Sequence, residues 1–335
     1  MTSPTALPLA DPVLAERIAG RLDLVEERLR TAVEYADPLV DDAAHHLANA
    51  GGKRLRPLLT LLSAELGGTA GSDDVLDAAV VVELTHLASL YHDDVMDSAP
   101  LRRGAPAAHE VWGNNVAILV GDLLFARASS TVAHLGPEAV IIQAGTFERL
   151  CLGQLHESTG PGADDDAVQH YLHVLADKTA SLIATSARLG AMYGGASPEA
   201  VETVAAFGER IGVAFQLADD VLDLTSAGDV SGKTPGTDLR EQVPTMPVLL
   251  LRERAATGAD PADAELVARL DGDLSDDAVL AQVLADLRAH DVVRETRERA
   301  AALVTEAVDL LAPLPDGPVK DSFVSFADAL VDRAS

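Results

Sequence analysis

The sequence has little of the material from which several classes of protein are built. Its 335 residues include one cysteine and only 3% aromatic residues, although 48% are hydrophobic. The single cysteine, Cys151, excludes an internal disulfide and favours a reducing compartment. Few aromatic residues, with many alanines and leucines, favour a helical protein over a β-sandwich or barrel. We therefore expect an all-α, cytoplasmic protein.

Basic residues are also scarce, since 25 Lys and Arg stand against 53 Asp and Glu, for a net charge of −28. A strongly acidic surface repels nucleic acids and anionic membranes, so neither is expected as a partner. The N-terminus lacks the pattern of a signal peptide, and the most apolar stretches are interrupted by Glu83 and Asp122. We therefore expect no stable membrane insertion.

Apolar residues recur with helical spacing along most of the chain, and breaks fall at clusters of Gly, Pro, Ser and Asp. We expect a flexible N-terminal tail over residues 1–12 and a single domain over residues 13–335. The helices over 73–97 and 198–225 are apolar on most faces and are predicted to be central. Helices are predicted over about 12–34, 38–50, 55–67, 73–97, 114–134, 138–158, 165–192, 198–225, 244–256 and, with breaks, 275–333.

An Asp-Asp-x-x-Asp run occurs three times, at residues 73–77, 93–97 and 219–223. The first run follows a Gly-rich break and begins a predicted helix. Ser72 or Asp73 could cap the free N–H groups of its first turn, and acidic residues favour the positive end of the helix dipole. A structural role accounts for this run.

The other two runs lie at the ends of long apolar helices, where carboxylates oppose the helix dipole and repel one another. Asp93 with Asp97, and Asp219 with Asp223, are four residues apart and therefore share one helix face. Natural sequences retain such unfavourable charge interactions more readily at a functional site than elsewhere. Paired carboxylates are ligands for hard cations such as Mg²⁺, completed by water and substrate phosphates.

Three of the four lysines, with several arginines, are predicted to lie in glycine-bounded loops or apolar helices rather than on the charged surface. They occur in "GGKRLRP", "SAPLRRGAP", "ADKTA" and "SGKTPG". In an acidic chain, carboxylate pairs beside isolated cations indicate a polyphosphate site, in which Lys and Arg bind the oxygens that metal leaves free. A P-loop is not expected, because its Gly-x-x-x-x-Gly-Lys-Ser/Thr pattern is missing.

Five ordered motifs, "GGKRLRP", "HLASLYHDDVMDSAPLRRG", "DKTASL", "FQLADDVLD" and "GKTPGTDLREQVPTMP", together resemble the trans-isoprenyl diphosphate synthases, over about residues 15–330. The resemblance implies the isoprenoid synthase fold, with ten or more helices around a central active-site cavity, and a homodimer. It implies that the two aspartate motifs face each other across that cavity. The implied enzyme is a prenyltransferase that uses three Mg²⁺ ions to condense an allylic diphosphate with isopentenyl diphosphate.

The resemblance also implies roles for individual residues. Asp93, Asp97 and Asp219 would bind Mg²⁺, with Asp94, Asp220 and Asp223 supporting them. The residues expected to act in catalysis are Asp93, Asp97, Asp219, Lys178 and Lys233. Those expected at the isopentenyl diphosphate site are Lys53, Arg56, His86 and Arg103. Those expected at the allylic diphosphate are Arg102, Lys178, Thr179, Gln216 and Lys233.

Helix geometry agrees with part of this assignment. His86 precedes Asp93 by two turns on the same face, and Gln216 precedes Asp219 by one turn. Alone, His86 would be read as a satisfied buried histidine. Gln242 and Met246 stand where the family often has Gly and Leu, at positions that carry neither metal nor phosphate.

The length of the product is less directly encoded. Ala88 and Ser89 are the first residues that a chain growing away from Asp93 would meet, and both are small. Thr85 and Val81, further back, are also modest in size. This favours a long product, about C30–C50. A geranylgeranyl or farnesyl diphosphate synthase is the alternative.

Two other functions are compatible with part of this pattern. A terpene cyclase usually carries a different second motif, whereas this chain has "DDVLD" together with the "GGKRLRP" segment. A non-catalytic regulatory subunit of a prenyl synthase usually loses aspartates or basic groups, and none is lost here. Assay of the purified protein alone would separate the enzyme from the regulatory subunit.

Overall fold

The structure, a computed structural model, describes residues 9–225 and 236–331, which are mostly helical. The prediction of an all-α fold is confirmed. Residues Ala176–Ala180 form a π-helical segment, and strands β1 (Leu101–Arg102) and β2 (Ala105–Pro106) form an antiparallel hairpin. The α-helices are α1 (Pro12–Ala32), α2 (Pro38–Asn49), α3 (Leu55–Ala64), α4 (Asp73–Met96), α5 (Ala108–Trp112), α6 (Asn114–Leu135), α7 (Pro137–Thr159), α8 (Ala167–Leu175), α9 (Ser181–Tyr193), α10 (Pro198–Thr225), α11 (Thr237–Arg240), α12 (Met246–Thr257), α13 (Pro261–Leu270), α14 (Asp277–Ala289), α15 (Asp291–Leu310) and α16 (Pro318–Val331).

Aspartate side chains begin several of these helices. Asp11 accepts a hydrogen bond from the Leu14 backbone N–H at 2.7 Å, and Asp37 accepts one from Leu39 at 3.0 Å. In both helices a proline follows at the first helical positions, where its missing N–H costs nothing. Part of the acidic composition therefore serves to start helices rather than to bind metal.

The first Asp-Asp-x-x-Asp run begins α4, as predicted, but the predicted capping contact is wrong. Ser72 occupies the N-cap position and makes no side-chain capping bond. The carboxylates of Asp73 and Asp77 instead accept hydrogen bonds from Arg28 of α1, at 2.6 and 2.5 Å. The run therefore joins α4 to α1, which is a structural role.

The chain divides into two compact units, and the first comprises Met1–Leu150, Ser181–Gly208 and Leu310–Phe326. Helix α4 packs against α1, α3, α6 and α9 and buries residues on most of its faces. The prediction that this helix is central is confirmed for this unit. Close helix packing needs glycine at one crossing, because a Cβ on Gly190 would lie 2.1 Å from the carbonyl oxygen of Thr60.

The second unit comprises Cys151–Ala180, Glu209–Asp309 and Ala327–Ser335. Apolar residues of α8, α10, α12, α14 and α15 form its core. The π-helical segment packs closely against two glycines. A Cβ on Gly153 would lie 2.5 Å from the Lys178 nitrogen, and one on Gly212 would lie 2.5 Å from the Ala180 Cα. The backbone around Lys178 is therefore held closely from two sides. The predicted tail and single domain remain predictions.

The structure differs from the sequence-based prediction in two local features. The helix predicted over 165–192 is interrupted at Ala176–Ala180, where the wider turn of a π-helix replaces the α-helical one. Such segments often lie at functional sites. The stretch predicted as a loop after α4 contains the β1–β2 hairpin.

One helix in the described part of the chain, α6, is long and apolar enough to cross a membrane. The core helix of a globular protein meets the same criteria. α6 packs along α4 and buries Ala117, Leu124 and Ala128. It therefore has the contacts of a core helix, and the predicted lack of membrane insertion stays a prediction.

Candidate active site

A glycine-bounded loop, residues 51–54, holds the guanidinium of Arg103 in the first unit. Gly51 and Gly52 both have positive φ, at 83° and 145°. Arg103 Nη1 donates hydrogen bonds to the Gly51 carbonyl oxygen and, at 3.1 Å, to that of Leu47. A Cβ on Gly52 would lie 2.9 Å from the guanidinium. Glycine is therefore required at 52 both for the backbone conformation and for the space that Arg103 occupies.

Arg56 and His86 lie near Arg103 and share its positive environment. Burial and the charge of Arg103 lower the pKa of Arg56 to about 10. Burial, followed by the charges of Arg56 and Arg103, holds the pKa of His86 well below its ordinary value, so this imidazole is neutral at neutral pH. Within the described residues, Arg56 Nε is buried without a hydrogen-bond partner. Concentrated cations with an unused N–H group form a site suited to an anion.

The structure thus brings together three of the four residues predicted for the isopentenyl diphosphate site, Arg56, His86 and Arg103. Lys53, the fourth, is exposed at the edge of the same loop. The sequence analysis assigned no role in this site to Arg54 or Glu83, which carry the main ionic contacts of this loop.

The first aspartate motif ends α4. Asp93 is half-buried, Asp97 is exposed, and the Asp97 backbone N–H donates to the Asp93 carbonyl oxygen at 2.8 Å. Asp94 is fully buried, and its Oδ1 accepts a hydrogen bond from Arg102 Nε at 2.6 Å and forms an ion pair with Arg102 Nη2 at 2.5 Å. Burial raises the pKa of Asp94 although Arg102 opposes the shift. Asp94 therefore supports Arg102, while Asp93 and Asp97 remain nearer the surface.

Two adjacent arginines differ in backbone position, because Arg102 ends strand β1 and Arg103 begins the two-residue turn that follows. Arg102 pairs with Ala105 across the hairpin, and the turn residues Arg103 and Gly104 both have positive φ, at 55° and 80°. These are the backbone conformations of a type I′ turn. As a result, Arg102 binds Asp94 while Arg103 binds the glycine loop, so each arginine has its own partner. Their assignment to different diphosphates stays a prediction.

The second aspartate motif lies on α10 in the second unit. Asp219 is exposed, whereas Asp220 is buried. Asp220 accepts hydrogen bonds from the Tyr171 hydroxyl at 2.9 Å and from the Met246 backbone N–H at 3.1 Å. Burial raises the pKa of Asp220 to about 8. The middle aspartate therefore joins α8 and α12 to α10, which is a supporting role like that of Asp94.

The remaining aspartate of this motif, Asp223, is half-buried beside the segment that precedes α11. Its carbonyl oxygen accepts a hydrogen bond from the Gly236 N–H at 3.0 Å, and its Oδ2 lies 3.4 Å from the Asp238 nitrogen. Asp223 thus contacts the start of α11, where the described chain resumes. Lys233, predicted to act in catalysis, lies outside the described residues.

Lys178 and Thr179 occupy the π-helical segment of the second unit. Lys178 Nζ forms an ion pair with Glu157 of α7, and Gln154, one turn earlier, has a buried Oε1 without a hydrogen-bond partner in the described part of the chain. Thr179 and Gln216 are half-buried. Glu157, Gln154 and Tyr171 were not predicted. Gly153 and Gln154 lie within α7, and nothing in the local sequence indicates that they contact this segment.

The predicted metal ligands offer carboxylate oxygens, which suit Mg²⁺. Among the residues that the structure describes, no three His, Cys, Asp or Glu side chains form a ready metal-binding group. A carboxylate pair such as Asp93 with Asp97 therefore fits a metal ion that takes its remaining ligand oxygens from substrate and water. Because the two motifs belong to separate units, their predicted approach across a cavity stays a prediction.

The two residues predicted to govern product length lie on the first-motif helix. Ala88 is fully buried, with its carbonyl oxygen close to Gly121 of α6. Ser89 is half-buried, and its hydroxyl donates to the His86 carbonyl oxygen at 2.9 Å. Their small size leaves the predicted role in chain length open to test.

Comparison with known proteins gives consistent matches along the chain. Residues 37–287 match the family model described as Polyprenyl synthetase. Nonaprenyl diphosphate synthase of Mycobacterium tuberculosis (strain ATCC 25618 / H37Rv) is 45% identical over 326 residues, covering 97% of this chain and 96% of that protein. Heptaprenyl diphosphate synthase component 2 of Geobacillus stearothermophilus is 37% identical over 299 residues, covering 89% of this chain and 91% of that protein.

A solved structure matches at the level of the fold. Geranylgeranyl pyrophosphate synthase from Corynebacterium glutamicum, complexed with calcium and isoprenyl diphosphate, superposes with a TM-score of 0.86 at 40% identity. The match covers 97% of this chain and 99% of that chain. The shared fold therefore extends over both compact units.

Proposed function

Because this chain belongs to the polyprenyl synthetase family, we propose that it condenses an allylic diphosphate with isopentenyl diphosphate, head to tail, into an all-trans polyprenyl diphosphate. One observation carries the proposal. Helix α4 presents His86, beside the half-buried Arg56 and Arg103, two turns before the Asp93–Asp97 carboxylate pair. An anion site and a site for a metal-bound anion therefore lie along one rigid helix.

Arg56, His86 and Arg103, here called the cation cluster, are proposed to bind isopentenyl diphosphate without metal. Arg56 and Arg103 bind the diphosphate oxygens, and Lys53 closes the site from the loop. His86 is neutral, so it donates one N–H hydrogen bond without adding charge. These contacts fix the double bond of the substrate relative to the first aspartate motif.

Asp93, Asp97 and Asp219 are the residues that would hold Mg²⁺, for which three ions are proposed. When bound, Mg²⁺ would supply positive charge to offset the charge that develops on the departing diphosphate. The calcium and isoprenyl diphosphate reported with the Corynebacterium glutamicum enzyme support a divalent cation in this family. Arg102, held by Asp94, and Lys178, held by Glu157, bind the remaining oxygens of the allylic diphosphate, together with Thr179, Gln216 and Lys233.

The reaction needs no protein nucleophile. The bond between the allylic carbon and the diphosphate oxygen breaks, and the diphosphate leaves with the electron pair toward Arg102 and Lys178. The double bond of isopentenyl diphosphate attacks the resulting carbocation. The adduct then loses a proton to the released diphosphate, which gives a product one isoprene unit longer that can react again.

A long product, about C30–C50, is proposed because Ala88 and Ser89 leave no bulky side chain near the first motif. The 45% identity to a nonaprenyl diphosphate synthase supports this length. The 40% identity to a geranylgeranyl pyrophosphate synthase keeps the shorter product as the alternative. Sizing of the products formed with a short primer decides between them.

The proposed enzyme is a homodimer that acts in the cytoplasm. Helices α6 and α7 expose large apolar side chains in the first unit, including Leu119 at 59% and Ile141 at 73%. Exposed apolar patches of this kind mark protein contacts more often than free surface. A second copy of the chain is the proposed occupant of this face.

One observation favours a second candidate. The relative from Geobacillus stearothermophilus is named as component 2 of its synthase. Under this alternative, the present chain would act with another subunit, or regulate one, and would be inactive alone.

The test is incubation of the purified protein alone with labelled isopentenyl diphosphate, an allylic diphosphate and Mg²⁺. Incorporation of label into longer diphosphates is the expected result. A protein that is folded but inactive with every allylic primer would refute the proposed function and favour the two-component alternative.

A further inference from the structure

Arg54 lies in the middle of the basic loop but is not available to bind a substrate. Its Nη1 donates to Glu83 Oε1 at 2.7 Å, and its Nη2 donates to the Ala48 carbonyl oxygen at 2.9 Å. Nε and Nη2 together bind the two carboxylate oxygens of Glu26. The side chain is only 10% exposed. The guanidinium is therefore taken up by internal partners, unlike that of Arg56.

The backbone of Arg54 is in an unusual conformation. Its φ is +48° and its ψ 37°, in the left-handed region, and it occupies the N-cap position of α3 without making a side-chain capping bond. A non-glycine residue pays for this conformation and keeps it only where surrounding contacts determine it. Here those contacts are the ion pairs to Glu26 of α1 and Glu83 of α4.

Arg54 with its two partners, Glu26 and Glu83, is here called the clamp. Glu83 connects the clamp to the cation cluster. Its side chain is 3% exposed and lies one turn before His86 on α4. Its negative charge favours the protonated forms of Arg56 and Arg103 and so opposes the effect of burial on both. The carboxylate that holds Arg54 therefore also holds the cluster together before any anion arrives.

We propose that Arg54 is a positioning residue of the isopentenyl diphosphate site. By clamping residues 51–54 between Glu26 and Glu83, it sets the directions in which Lys53 and Arg56 leave the chain. It makes no contact with substrate itself. This inference rests on the proposed function, because it deepens the assignment of that site.

The test is steady-state kinetics of Arg54→Lys, which retains the charge but cannot make the forked contacts. The expected result is a rise of about tenfold in the KM for isopentenyl diphosphate, with the KM for the allylic diphosphate changed by less than about twofold. The loss of affinity is expected only for isopentenyl diphosphate, because the clamp contacts only the loop of that substrate site.

The matched control is Arg17→Lys. Arg17 binds Glu65 through a similar fork, at 3.0 and 2.6 Å, and also joins α1 to the end of α3, but it lies outside the basic loop. This variant is expected to leave both KM values unchanged. A similar rise in both KM values for Arg54→Lys, or a fall in stability alone, would overturn the positioning role.

A second variant removes the same contact from the other helix. Glu26→Gln is expected to raise the KM for isopentenyl diphosphate in the same selective way, and it serves if Arg54→Lys does not fold. Calorimetric titration with isopentenyl diphosphate without Mg²⁺ gives a readout independent of turnover. Unchanged affinity in both variants overturns this inference, whereas a wild-type protein that neither binds nor extends isopentenyl diphosphate refutes the proposed function instead.

Discussion

Arg102 directs two of its nitrogens at a single buried oxygen, Oδ1 of Asp94, at 2.6 and 2.5 Å. The three aspartates of the first motif differ in their burial. Asp94 points into the protein and holds an arginine, while Asp93 and Asp97 lie nearer the surface. The second motif repeats the division, because Asp220 binds Tyr171 and Met246 while Asp219 is exposed.

This division predicts different outcomes for the aspartates of the three runs. Asp93→Ala and Asp219→Ala are each expected to abolish turnover and leave the fold intact, because they remove proposed metal ligands without opening the core. Circular dichroism and a prenyl-transfer assay check both halves of the prediction.

The Asp-Asp-x-x-Asp run at residues 73–77, which has a structural role, offers the control within the same chain. Asp77→Ala removes the ion pair with Arg28, which is worth about 0–1 kcal/mol at the surface, and should leave turnover unchanged. Near-normal elongation by Asp93→Ala or Asp219→Ala would refute the metal assignment.

A methyl group on Gly52 should disturb the isopentenyl diphosphate site selectively. Gly52→Ala places a Cβ 2.9 Å from the Arg103 guanidinium at a φ of +145°. The KM for isopentenyl diphosphate is expected to rise by about tenfold or more, since Arg103 must move. Gly51→Ala, at a φ of +83° with no atom near its Cβ, carries backbone strain without the displacement. Equal effects of the two changes would contradict the prediction.

The burial of His86 should appear in the dependence of stability on pH. Burial and the neighbouring arginines lower its pKa in the folded state below the ordinary 6.5, so the unfolded state binds the proton more readily. Its contribution is present above pH 6.5 and is lost as the pH falls toward the folded-state pKa. The slope reaches at most about 1.4 kcal/mol per pH unit.

His86→Gln removes this contribution. Urea unfolding at several pH values between 5 and 7.5 is expected to show a smaller loss of stability on acidification in the variant than in the wild type. Parallel curves for the two proteins would show that the imidazole is not held neutral.

Product length should respond to bulk near the first motif. Ala88→Phe is expected to shorten the product, because the ring would block a chain growing away from Asp93. Ala88 is fully buried, so Ser89→Phe, at a half-buried position, is the companion variant that tolerates the larger side chain better. Chromatographic sizing of the polyprenyl products checks both, and an unchanged distribution in a folded variant argues against the tunnel at this position.

The proposed dimer depends on the apolar face of α6 and α7. The double change Leu119→Asp and Ile141→Asp is expected to halve the mass measured by light scattering, because it would bury two charges in the interface. Val13→Asp alters an apolar residue of α1 that is 69% exposed and should not change the mass. A double variant with the mass of the wild type would place the interface elsewhere.

The sequence was sufficient for the broad conclusions. The predicted family and enzyme class, a prenyltransferase, are confirmed by the comparisons, and the all-α fold by the structure. These succeed because helical periodicity is local and because the motifs have fixed spacing, as with Asp93 and Asp97 on one face.

The finer contacts could not be predicted, because they depend on residues far apart in the chain. Nothing in the spacing of Glu26, Arg54 and Glu83 indicates that they meet, since three separate helices must pack before they do. The π-helical turn at Lys178 similarly packs against two glycines distant in sequence, Gly153 and Gly212. Asp94 and Asp220 each follow another aspartate in the sequence, and only the greater burial of the second aspartate separates their roles.

The tight turn between β1 and β2 constrains how this surface can vary. Surface loops commonly tolerate insertions and deletions, but here one added residue would rotate Arg103 away from the glycine loop, or Arg102 away from Asp94. Substitutions that respect the backbone conformation could still accumulate on the exposed strand residues. Length variation within this hairpin would therefore break at least one of the two arginine contacts.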